Sequence, residues 1–157
     1  MDAAKIGDPM TVPQADFAVY DRSGQLAAVA EAKRKAGTST NWAAMWFRNF
    51  IQHAQSTPPY LLLATPDTVY LWQRGLAASS PPRVLRGSDI FRTYFERSHL
   101  SPSDVSPQAF ELIVGAWLHD VLSDLWQPVN AELRVPFVES GFLDAVRQGR
   151  VESQAAA

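Results

Sequence analysis

Apolar and polar positions change period several times along the chain, and each change marks an element. Over 15–21, ADFAVYD, aromatic and β-branched residues predominate and predict a strand. RSGQ, 22–25, is a turn in which Gly24 is free to take positive φ. LAAVAEAKR, 26–34, predicts the returning strand, although its alanines alone would also suit a helix. Over 37–55 the period becomes helical after Ser/Thr capping candidates. Trp42, Trp46 and Phe50 recur at i+4, as do Ala43, Phe47 and Ile51, giving one broad apolar face with Arg48, Asn49 and Gln52 on the other side. PYLLLAT (59–65) and TVYLWQR (68–74) then predict two strands around a tight turn. The unbroken apolar run 60–64 predicts a strand buried on both faces.

The second half changes character. GLAASSPPR, 75–83, is a Pro/Ser-rich connection, and Ser88-Asp89 is placed to cap a short helix over 89–97. Ser106 at an N-cap and Pro107 at the first helical position open a helix to about Trp126. Its apolar residues run from Phe110 through Trp117 to Leu125 at helical period, a face suited to packing on the sheet or to a homodimer interface. AELRVPF, 131–137, suggests a short strand, and 140–149 a last helix before an Ala-rich end that should fray. Residues 1–12 carry no clear pattern and are expected to form a loose arm. One domain over 1–157 follows: a core over 13–74 and a mostly helical extension over 84–150 packed on it.

Composition narrows the chemistry. The 157 residues are 46% hydrophobic, enough for a packed core, and the formal charge of −2 gives no whole-chain case for nucleic acid or membrane. Any such partner must be met by a local patch. With no cysteine, disulfides, thiolate metal sites and cysteine nucleophiles are excluded. No stretch approaches a membrane span and the first ten residues hold no apolar core of signal-peptide length, so a cytoplasmic protein without membrane contact is expected. His53, His99 and His119 are scattered, and G-x-S-x-G, Walker and dinucleotide motifs are missing from the sequence.

The first hairpin holds the candidate chemistry. A two-residue loop pairs Arg22 with Gln25 and a four-residue loop pairs Asp21 with Leu26. Either sets Asp16 opposite Glu31, whereas an odd loop throws them onto opposite faces. Facing Cβ atoms lie roughly 4.5–5.5 Å apart, so the two carboxylates must share a proton or a cation. Lys33 follows on the face of Glu31, about 6.6 Å along. Two oxygen ligands and an ammonium suit a hydrated hard cation such as Mg²⁺. The same three residues would also make an ordinary surface ion-pair cluster. Asp21, at the turn, is read as turn-forming. Lys33, Arg34 and Lys35 form the basic cluster of the chain, either a phosphate contact or a solvated strand end.

ADFAVYDRSGQLAAVAEAKRK, an amphipathic helix and PYLLLATPDTVYLWQ together resemble the PD-(D/E)XK nuclease core. More narrowly they are similar to the nuclease domain at the N-terminus of type I restriction enzyme R subunits. The likeness covers 13–74, a little under half of the chain. It implies an α/β fold, a restriction-endonuclease-like core with a mixed β-sheet flanked by helices and here a C-terminal helical extension. It also implies cleavage of DNA phosphodiesters with Mg²⁺ or Mn²⁺. Asp16 then matches the first acid and Glu31 the second, both metal ligands; Ala32 lends its backbone carbonyl, and Lys33 holds the attacking water. Gln52 and Arg48 are accessory candidates, and Arg34 and Lys35 candidate phosphate contacts. Pro13 stands three residues ahead of Asp16, and residues 1–12 are short for the acid-bearing helix and strand that usually come first. A catalytically inactive nuclease-fold module that binds nucleic acid or a protein partner is the alternative.

Overall fold

The computed structural model describes residues 15–54, 57–73 and 81–154. The expected arm over 1–12, most of the 75–83 connection and the Ala-rich end lie outside them. Six strands form one mixed sheet in the order β5-β4-β3-β2-β1-β6, flanked by helices. β1 (Phe17–Tyr20) and β2 (Leu26–Ala32) make the predicted antiparallel hairpin. α1 (Thr40–His53) carries the chain back so that β3 (Tyr60–Ala64) runs parallel to β2. β4 (Thr68–Gln73) returns antiparallel to β3, and β5 (Arg83–Arg86) follows at the edge.

Each face of the sheet has its own apolar layer. Val29, Leu61, Leu63, Tyr70 and Trp72 meet Ala43 and Phe47 of α1. Phe47 stacks on Trp72 with ring centroids 4.7 Å apart, so the tryptophan and phenylalanine stripe is core. The Ser39 hydroxyl starts α1 by accepting from the Trp42 N–H at 3.1 Å. On the other face Ala28, Ala30, Leu62 and Leu71 meet α4 (Pro107–Leu122) through Phe110, Val114, Trp117 and Leu118. That packing buries the stripe that a homodimer would have used from Phe110 to Leu122, where α4 ends; Leu125 beyond it is 65% exposed, and Leu112, off the stripe, 75%. β3 is buried on both faces as its apolar run requires.

The second half departs from its reading in three places. It supplies two strands as well as helices: β5, and β6 (Arg150–Ser153), which pairs antiparallel with β1. The helix expected over 89–97 is two, α2 (Gly87–Ile90) and α3 (Arg92–Ser98), broken at Phe91. Residues 131–137 are not a strand. They form a 3-10 turn over Ala131–Arg134 and then α5 (Val135–Glu139). Asn130 caps the turn by accepting from the Glu132 N–H at 2.9 Å, and Pro136 lies in the first turn of α5, where its missing N–H costs nothing. α6 (Phe142–Val146) completes the helices.

Candidate active site at the open end of the first hairpin

The hairpin reaches its register by an unexpected route. Asp21 builds the turn, its Oδ1 accepting from the Ser23 hydroxyl at 2.6 Å, from Gln25 N at 3.0 Å and from Ser23 N at 2.9 Å, and these bonds hold its carboxyl below the usual range. Tyr20 then pairs with Leu26, enclosing an odd, five-residue loop. That alone would separate the acids. A bulge between Val19 and Tyr20 restores the predicted pairs Val19–Ala28, Ala18–Val29 and Phe17–Ala30, with Ala27 the extra residue.

Asp16 lies just before β1, so it does not face Glu31 as a strand pair. Its Oδ2 instead accepts from the Ala32 N–H at 2.7 Å, in the place of the next ladder bond. A strand residue turns its N–H and C=O to the same side, so the Ala32 carbonyl also points toward Asp16. The Lys33 N–H points the other way, to the Ala64 carbonyl at 2.8 Å. Glu31 continues the face of Val29, on the side of α1, and its Oε2 is 3.0 Å from the Lys33 Nζ. Burial first and the charge of Asp16 second push the Glu31 carboxyl up, against the pull of Lys33 and the Asp16 N–H.

The structure therefore brings Asp16, Glu31, Ala32 and Lys33 together. Arg34 and Lys35 are exposed on the loop that leaves β2. Arg48 and Gln52 are exposed on α1. α1 begins at the end of β2 that holds the acids, and Gln52 is about 18 Å along its axis from Thr40. One residue escaped the sequence reading. Glu111 of α4, half-buried, has its carboxyl raised by burial and then by the charges of Asp16 and Glu31. Its helix approaches closely because Gly115, one turn on, has no side chain: a Cβ there would sit 3.2 Å from the Phe17 ring. An acid at i−4 from a glycine, interrupting an apolar helix face, was the available signal.

Among the described residues no three acidic or histidine side chains converge closely enough to enclose a metal ion. Nor is any described helix long and apolar enough to cross a membrane. No protein-family model, curated protein or solved structure matches the chain.

Proposed function

We propose that the protein is a metal-dependent nuclease or nuclease-like protein acting on DNA phosphodiester bonds, with Asp16, Glu31 and Lys33 as its working side chains. The observation that carries this reading is the meeting of two acids and one ammonium at the open end of a hairpin, with Glu31 3.0 Å from Lys33 and Asp16 fixed on the Ala32 N–H. The chain order also supports a restriction-endonuclease-like core: an antiparallel hairpin, a crossover helix, then a strand parallel to the second.

The donor set fits a hard divalent cation. Its atoms are oxygens, and burial followed by the charge of Asp16 raises the Glu31 carboxyl, a penalty on the anion that a bound cation would relieve. Asp16, Glu31 and the Ala32 carbonyl would hold Mg²⁺ or Mn²⁺, with water filling the remaining positions. When bound, the ion makes its water easier to deprotonate and offsets charge on the phosphate. The chain's own residues do the rest. Ala32 holds one Asp16 oxygen in place and leaves the other to act. Lys33 donates to the attacking water while its ion pair with Glu31 keeps the ammonium near the acids.

A binding module without catalysis is favoured by one observation, that among the described residues no third acidic or histidine side chain joins Asp16 and Glu31 closely enough to enclose an ion. Purified protein incubated with plasmid and single-stranded DNA plus Mg²⁺ or Mn²⁺ separates the two. Cleavage lost in Lys33→Ala and Glu31→Gln supports the nuclease. Equal cleavage by wild type and Lys33→Ala removes the mechanism, and DNA binding without turnover supports the module.

A further inference from the structure

The face and end of the sheet that hold Glu31 also hold a cation three strands away. Arg86 pairs with Thr68, and their neighbours Val84 and Tyr70 pair on the α1 side, so Arg86 shares the side of Glu31 and Lys33. It closes β5 at the end where β2 and β3 finish and β4 begins, since Lys33 N bonds Ala64 O and Thr65 N bonds Thr68 O. Strands lie about 4.8 Å apart, so β2 and β5 are separated by about 14 Å.

The basic loop bridges that interval. From Lys33 it crosses β3 to the β3–β4 turn, where the Gly37 N–H donates to Asp67 Oδ2 at 3.3 Å and Thr38 Oγ1 lies 2.7 Å from Tyr70 Oη. Arg34 and Lys35 are thereby placed between the acids and Arg86, all exposed. Glu132 shares a cleft with Arg86 and Asp89, and the other two acids along the line are engaged. Asp67 spends its second oxygen on the Thr65 hydroxyl at 2.9 Å. Asp89 is held by Arg92 at 2.5 Å, and its other oxygen is 3.7 Å from Arg86, whose side chain remains 83% exposed. The line is positive on balance.

Resting on the nuclease reading, the geometry points to a backbone track that leaves the Asp16–Glu31 site toward β5, with Arg34, Lys35 and Arg86 as successive phosphate contacts to one DNA strand. A strand of B-DNA carries a charge per 3.4 Å of axis, so the 14 Å interval covers roughly four phosphates. The track sets direction: substrate extends over β3 and β4, not over β1 and β6.

Anisotropy of a fluorescein-labelled DNA duplex, titrated in EDTA over a salt series, tests it. Arg86→Gln should weaken binding by roughly three- to tenfold and reduce the slope of log K against log salt by about one, whatever the sequence. Arg83→Gln, at the other end of β5 beside Glu139, should bind as wild type. Wild-type affinity and slope in Arg86→Gln, with loss in Arg34→Gln and Lys35→Gln, would overturn the track and leave the nuclease reading standing. No salt-dependent binding by wild type would overturn both.

Discussion

Asp16 Oδ2 accepts from the backbone N–H of Ala32 at 2.7 Å, so a candidate metal ligand is also what finishes the β1–β2 ladder. Its two roles come apart by substitution. Asp16→Asn keeps an oxygen for the amide and removes the charge. Asp16→Ala leaves a half-buried donor unpaired, at a cost of about 1.5–3 kcal/mol because the lost bond is to an ionised group. Urea denaturation should therefore rank wild type, Asn and Ala in that order, with both variants inactive in cleavage.

Glu31 carries the opposite balance. Burial and Asp16 raise its carboxyl, so the folded protein holds that proton more tightly than the unfolded chain does. Its contribution is fully favourable below the unfolded carboxyl range and is lost as pH rises through the folded value. Glu31→Gln should raise Tm at pH 7, by an increment that shrinks toward pH 4, because the forfeited half-exposed pair with Lys33 is worth little. Stability gained while cleavage is abolished would mark a site kept for chemistry. A lower Tm for Glu31→Gln at neutral pH would refute the assignment.

The Tyr94 hydroxyl donates to Asp120 Oδ2 at 2.6 Å, and burial followed by Asp120 pushes the phenol up. Asp120, half-buried beside the exposed His119, is thus a structural acceptor. Asp120→Ala should cost about 1–3 kcal/mol by stranding the buried hydroxyl, and Tyr94→Phe less, since water reaches the carboxylate it frees. The double variant should be less destabilised than the two singles added, as a thermodynamic cycle measures.

Gly149 precedes β6, and a Cβ there would lie 1.9 Å from the Tyr20 carbonyl oxygen. Backbone meets backbone, so neither side yields cheaply. Gly149→Ala should destabilise by about 3 kcal/mol or more and loosen β6 from β1, visible as faster amide exchange over 150–153.

What the sequence disclosed follows from how deeply each element is buried. α1, α4 and β3 were legible because one or both faces pack on core, and burial writes a period into the residues. β5, Arg-Val-Leu-Arg, and β6, Arg-Val-Glu-Ser, were not legible: they are four-residue edge strands, mostly exposed, whose charged residues guard unpaired backbone rather than fill a layer. At the site, Glu31 and Lys33 were readable because acid and ammonium share one strand. Glu111 comes from eighty residues further along, and only the packing of α4 through Gly115 brings it within reach of their field.

The extra residue at Ala27 has a consequence for how this hairpin tolerates length changes. It acts as a vernier between the tip and the business end: the five-residue loop is out of step by one, and the bulge takes up the error before Asp16 and Glu31 are reached. Deleting Ala27 alone should therefore turn the bulge into an unbroken ladder, Tyr20–Leu26 followed directly by Val19–Ala28, with Asp16 and Glu31 still in step and cleavage retained.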